Sequence, residues 1–297
     1  MKPFAIAGIQ MEVSAYEDNI VAMARYAAHV RQRFPWVDML LFSELAAFGP
    51  NPSHAEPMPG NAEQRLCEIA KQHGLWLIPG SLFEVKDGAI FNTTPVINPQ
   101  GEVIARHRKL FPFTPYERGV SPGSEFVVFD VPDAGRFGVS ICYDMWFPET
   151  TRQLVAMGAE VILHPTMTDT IDRDIELAIA KASAAMNQVY MIDINGVGHG
   201  GAGQSIVVDA SGYVLHQAGS AGAQIIPIEI DFAKVRRERE RGIRGLGQPL
   251  KSFRDRQVDF PVYRNDPANM AYLNSLGALV KPGAENSSDS VSGPGGH

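Results

Sequence analysis

The stretch Arg136 to Pro165, RFGVSICYDMWFPETTRQLVAMGAEVILHP, holds a strand, a turn, a helix and a second strand in that order. RFGVSICYD and AEVILHP are apolar runs of strand length, and Pro148 suits the first turn of the helix between them. A strand-helix-strand unit of this kind brings its two strands together in parallel. Further along, a helix near Arg173 to Gln188, the buried strand VYMIDINGV, a hairpin turning at DASG and the strand AQIIPIEI lead to a helix around Lys234.

The preceding half has a different rhythm. FAIAGIQME is a strand, Ser14 and Glu17 form a capping box for a helix reaching about Arg33, and VDMLLFSE is a buried strand from Val37 to Glu44. Asn61 and Gln64 open a second helix, which Gly74 closes. LWLIPGSLFEV, AIFNTTPVIN and EVIARHRKL then follow one another across the turn signals KDG and NPQG, which makes them antiparallel neighbours. Hairpins mixed with strand-helix-strand units exclude a purely parallel sheet and indicate layered α/β architecture with mixed sheets. Residues 1–242 read as one domain. Residues 243–297 read as an irregular C-terminal arm, apolar enough in GIRGLGQPLKSFRDRQVDFPVY to pack on a partner, and ending in the polar, flexible tail GAENSSDSVSGPGGH.

Composition narrows the class. Of 297 residues, 45% are hydrophobic and 20% charged, and 26 Lys and Arg against 33 Asp and Glu give a net charge of −7. Such a chain can bury a large core, has no apolar run of membrane-spanning length, and opens on MKPFAIAGIQMEV, too soon polar for a secretory signal. A cytoplasmic protein with no membrane or nucleic-acid partner is expected. The densest basic run, KVRRERER from Lys234, is interleaved with Glu and reads as a solvated helix. Cys67 and Cys142 cannot build a disulfide framework, and no His or Cys spacing suggests a metal.

Three polar residues end three strands. Glu44 closes LLFSE, Lys109 closes VIARHRK, and Cys142 closes FGVSIC at a strand-to-helix turn. Each alone has a plain reading: a surface carboxylate, a solvated basic strand end, a small core residue. Together they place a carboxylate, an ammonium and a thiol at corresponding strand ends, where α/β sheets locate their sites. A carboxylate beside a lysine can deprotonate a thiol, so the set suffices for acyl transfer. Cys67, on the stripe with Leu66, Ile69 and Ala70, reads as core.

FSELAAFG around Glu44, HRKLFPFTPYERGVSPG around Lys109 and VSICYDMWFPE around Cys142 occur in the order of the nitrilase superfamily of carbon-nitrogen hydrolases, which the chain resembles from FAIAGIQ to the Lys234 helix. The resemblance implies a four-layer α-β-β-α sandwich with two mixed β-sheets, and a homodimer or higher homo-oligomer. It also implies a Glu44-Lys109-Cys142 triad supported by Glu117, an oxyanion donor in the backbone N–H of Tyr143, and no cofactor or metal. Tyr143 and Asp144 with Phe147-Pro148-Glu149 resemble the amidase and N-carbamoyl amidohydrolase branches more than nitrilases proper, whose nucleophile is usually followed by Trp-Glu. The expected reaction is hydrolysis of a small linear amide or N-carbamoyl compound through a Cys142 thioester. The alternatives are a nitrilase or a catalytically silent binding protein of the same fold. Phe48, Trp146, Thr166, Met167 and Thr168 are the substrate-lining candidates. Arg173 is either a clamp for a substrate carboxylate or a surface residue at a helix start.

Two other patterns stay open as chemistry but read as structure. Gly198, Gly200 and Gly203 have dinucleotide-loop spacing, yet a strand rather than a helix follows them. His164 and His199 offer a base for Cys142, but hydrogen-bonded core or rim positions suit them equally.

Overall fold

Strand alternation sorts the apolar side chains into three separate cores, and three cores require four layers. The computed structural model describes residues 3–256, 258–264 and 266–282. Its strands in the first half are β1 (Phe4–Gln10), β2 (Glu12–Val13), β3 (Met39–Phe42), β4 (Trp76–Ile78), β5 (Leu82–Lys86), β6 (Ala89–Ile97) and β7 (Val103–Arg108). Those that follow are β8 (Val127–Val131), β9 (Gly135–Val139), β10 (Val161–Thr166), β11 (Tyr190–Asn195), β12 (Val197–Gly198), β13 (Ile206–Val208), β14 (Val214–Gln217) and β15 (Gln224–Ile230). The helices are α1 (Ile20–Arg33), α2 (Asn61–His73), α3 (Pro148–Ala156), α4 (Asp172–Asn187), α5 (Phe232–Arg241), α6 (Pro249–Asp255) and α7 (Pro267–Asn274).

One sheet runs β15-β1-β3-β4-β6-β5, with β7 also on β6; the other runs β14-β13-β11-β10-β9-β8. Parallel pairs lie at the centre of each, β1-β3-β4 and β9-β10-β11, and antiparallel strands flank them. Ile6, Met39, Leu41 and Ile78 of the first sheet meet Phe137, Val139, Leu163 and Ile192 of the second in the central core. Their neighbours in sequence point the other way. Ile9, Leu40 and Phe42 pack with Met23 and Val30 of α1 and Leu66 of α2, while Ile162 and Met191 pack with Leu154 of α3 and Leu177 of α4. The order of layers is therefore α-β-β-α. Each fully buried Leu or Ile contributes about 1.5–3 kcal/mol, so displacing one strand by a single residue would invert both of its faces at large cost.

Element boundaries follow local chemistry, with some departures from the sequence reading. Gly74 closes α2 in the left-handed conformation (φ 58°), and Pro148 opens α3. Helix α1 starts at Ile20, because Ser14 N donates to Asn19 Oδ1 (3.0 Å) and Asn19 Nδ2 donates back to Ser14 O (2.8 Å), which locks residues 14–19 as a turn. LWLIPGSLFEV is two strands, broken at Pro79-Gly80, where Gly80 has φ 78° and a Cβ would lie 1.7 Å from Ser43 O. Helix α5 is less solvated than its charge suggests. Phe232 and Val235 are buried, Arg236 pairs with Glu160 (2.7 Å), and Arg239 donates to Gln188 O (3.1 Å).

The described residues form two units, 3–112 with 119–256, and 113–118 with 258–282. Position 242 falls inside the first unit: Leu250 of α6 packs against the third core, and Arg152 lies 5.3 Å above the Phe253 ring. The second unit contains α7, and within it Lys281 Nζ sits 4.8 Å from the Tyr116 ring. The polar tail from Gly283 lies outside the described residues. Among the described residues no helix is long and apolar enough to cross a membrane.

Candidate active site

Glu44, Lys109 and Cys142 each stand just beyond a strand of the central layers, and backbone bonds tie their segments together. Glu44 follows β3 and its N–H donates to Thr166 O at the end of β10 (3.2 Å). Lys109 follows β7 and its N–H donates to Asn92 O on β6 (2.8 Å). Both side chains are buried, and Lys109 Nζ donates to Glu44 Oε1 at 2.9 Å, an oxygen that also accepts from Asn92 Nδ2 at 2.7 Å. Cys142 begins a 3₁₀ turn (Cys142–Trp146) three residues after β9, with φ 44°. Burial and the Glu44 charge push the Cys142 thiol well above its ordinary pKa, while the Lys109 charge opposes them.

Asp144 fixes this arrangement, a role the sequence reading did not assign. Its Oδ1 accepts from Leu110 N (2.9 Å) and Phe111 N (2.8 Å), and its Oδ2 from Ile141 N (3.0 Å), with His107 Nε2 at 3.2 Å. One fully buried carboxylate thus anchors the segment after Lys109 and the segment before Cys142. Asn92 was missed as well. It lies inside an ordinary strand pattern that marks only its burial. Asp144 carried a signal, since a carboxylate two residues beyond the thiol on an apolar strand end must find donors.

The remaining candidates are placed unevenly. Thr166 is buried, and Thr168 lies with Oγ1 4.0 Å from Cys142 Sγ. Asn195 grips Thr168 from both sides, accepting from its N–H (3.0 Å) and donating to its carbonyl (2.9 Å). The Met167 backbone favours ionisation of the thiol. The Tyr143 ring lies 5.8 Å from that of Trp146, whose Nε1 approaches Glu176 Oε1 at 3.4 Å. Phe48 stacks on His54 (5.0 Å) and packs toward the core beneath α1 and α2. Glu117 belongs to the second unit, where its carboxylate accepts from Phe113 N.

Arg173 requires a correction to one of its readings. It is 2% exposed, so it is no surface residue, and its Nη1 is held by Asp193 Oδ2 (3.0 Å) and Glu176 Oε2 (3.1 Å). Its guanidinium is thus shared by two buried carboxylates. The neighbouring carboxylates were outside the sequence reading because Asp193 looks like an interruption of a buried strand.

The histidine and glycine patterns resolve into structure. His164 is fully buried with Nδ1 2.6 Å from Ser140 Oγ, and burial lowers its pKa to about 4. The folded protein then binds fewer protons than the unfolded chain between about pH 6.5 and 4. Stability should fall as pH drops through that window, with this site adding a slope of up to about 1.4 kcal/mol per pH unit. Chemical denaturation at pH 7 and pH 4.5 should show a smaller acid loss in His164→Gln than in the parent; an equal loss would refute the assignment. Gly203 has φ 67°, and the strand β13 rather than a helix follows it. Cys67 is half-buried on α2 against the outer core.

Comparison with known proteins places this geometry. The carbon-nitrogen hydrolase family model matches residues 5–240. The omega-amidase NIT2 of Mus musculus is 30% identical over 254 residues, 79% of this chain and 91% of its own length. The omega-amidase NIT2-B of Xenopus laevis is 33% identical over 260 residues, 81% and 93% of the two chains. Among solved structures, Saccharomyces cerevisiae Nit3, a member of branch 10 of the nitrilase superfamily, superposes with TM-score 0.74 at 26% identity, covering 80% of this chain and 94% of its own. An amidase from Nesterenkonia shares the fold, with TM-score 0.71 at 24% identity over 80% and 94% of the chains.

Proposed function

The chain belongs to the carbon-nitrogen hydrolase family, and from that premise we propose that it hydrolyses a small, linear, uncharged carboxamide through a thioester on Cys142. The observation that carries this reading is the buried Lys109-Glu44 pair at 2.9 Å, whose two charges both act on the Cys142 thiol. Glu44 takes the thiol proton as sulfur attacks the amide carbon. The Lys109 ammonium and the Tyr143 backbone N–H bind the oxyanion, a role worth about 3–4 kcal/mol per donor. Glu44 returns the proton to nitrogen, ammonia leaves, and water deprotonated by Glu44 hydrolyses the thioester to the acid.

The name omega-amidase borne by the relatives favours an amide over a nitrile. The pairing of Arg173 with Asp193 and Glu176 supports an uncharged substrate, since it engages the cation expected to hold the carboxylate of an N-carbamoyl amino acid. Trp146, Met167, Thr166 and Thr168 are uncharged. Ammonia release from a matched panel tests this: short aliphatic amides, the same amides ending in a carboxylate, N-carbamoyl amino acids, and nitriles. Neutral amides should give kcat/KM at least about tenfold above the carboxylated set. Faster turnover of the carboxylated or carbamoyl compounds would overturn the uncharged-substrate reading, and acid from nitriles alone would overturn the amide reading.

A further inference from the structure

A chain of buried polar groups leads away from Cys142. Cys142 Sγ lies 4.0 Å from Thr168 Oγ1, the long end of contact for a sulfur hydrogen bond. The Thr168 hydroxyl donates to Glu176 Oε1 at 2.9 Å, and Glu176 Oε2 accepts from Arg173 Nη1 at 3.1 Å. Arg173 is held in turn by Asp193 Oδ2 at 3.0 Å and Gln204 O at 2.9 Å. Thr168, Glu176, Arg173 and Asp193 are all buried. A hydroxyl has one hydrogen, and here Glu176 receives it. The side of Thr168 that meets the sulfur is then a lone pair, which can accept from S–H and cannot donate to S⁻.

We infer that Glu176 is a positioning residue for the nucleophile: by taking the Thr168 hydrogen it presents oxygen to Cys142, and so keeps the resting nucleophile a neutral thiol. The inference rests on the proposed role of Cys142. The charges agree with the geometry. Two carboxylates, Glu176 and Asp193, face one guanidinium, which leaves an excess of negative charge behind the sulfur. Burial first, then Glu44 and Glu176, oppose ionisation of the thiol, while Lys109 and the Met167 backbone favour it. His164 also feels Glu176, but with its pKa near 4 it adds no charge at neutral pH. In this arrangement the proton leaves sulfur for Glu44 as the carbon–sulfur bond forms, and the site is spared a standing thiolate open to oxidants and alkylating agents.

The test reads the thiol directly. In full-length protein carrying Cys67→Ser, the rate of Cys142 alkylation by iodoacetamide is followed against pH by intact mass. Glu176→Gln should move the midpoint down by about one pH unit, giving roughly tenfold faster alkylation below it. Thr168→Val, which keeps the charge but removes the link, should move it in the same direction by less, and Thr168→Ser should restore it. Because Thr168→Val alters a single hydroxyl, it decides the matter if Glu176→Gln fails to fold. Midpoints equal to the parent's, or raised, would overturn the inference. An alkylated parent that still turns over amides would instead overturn the role of Cys142.

Discussion

Glu44→Gln should lower kcat by about 10³- to 10⁴-fold, because one carboxylate moves the proton in thioester formation and again in its hydrolysis. The substitution is close to isosteric, and an amide oxygen in the place of Oε1 can still accept from Asn92 (2.7 Å) and Lys109 (2.9 Å). Binding determinants therefore persist, and KM should change far less than kcat. Cys142→Ala should remove turnover altogether, and with it any acyl adduct seen by mass spectrometry of a slow amide. An adduct on Cys67, or turnover near the parent's in either variant, would sink the mechanism.

Arg173→Leu should destabilise the fold by about 3–5 kcal/mol, since it strands two buried carboxylates without a cation. For a chain of this size each kcal/mol corresponds to roughly 2–4 °C, so the melting midpoint should drop by about 6–20 °C. The dependence on pH identifies the cause. Burial raises the pKa of both Glu176 and Asp193, and the parent's Arg173 charge opposes that rise. Without the guanidinium the rise grows, so the folded variant binds more protons than its unfolded chain above the ordinary carboxylate range. Its deficit relative to the parent must therefore shrink as pH falls from 8 toward 5 and widen as pH rises. A deficit independent of pH would assign the loss to packing instead. Arg173 also helps to lower the His164 pKa, so its removal weakens the acid sensitivity of His164 and shrinks the deficit in the same direction as pH falls.

Mixed α/β layering was legible in the sequence because hairpins and strand-helix-strand units are local patterns, whereas the four-layer order came from the family resemblance. VDMLLFSE puts Met39 and Leu41 on one face and Leu40 and Phe42 on the other, and the structure sends them into different cores. The strand ends were nearly as legible: Glu44, Lys109 and Cys142 stand out as polar residues that each close a strand. What escaped were the residues that need a partner from a distant segment to acquire meaning. Asn92 touches Glu44 across 48 positions, Asp144 reaches Leu110 across 34, and Arg173 meets Asp193 across 20. The Ser14 capping box failed for a local reason, as Asn19 competes for the same backbone and wins.

The φ of 44° at Cys142 sets the proposed nucleophile against the stability of its own chain. An L-residue in the left-handed region costs about 1 kcal/mol or more relative to glycine, which adopts it freely. Selection for stability alone would thus favour Gly at position 142, at the expense of the thiol. The nucleophilic role proposed for Cys142 would repay that cost in chemistry, and a lineage released from it would be under conformational pressure to lose that side chain early.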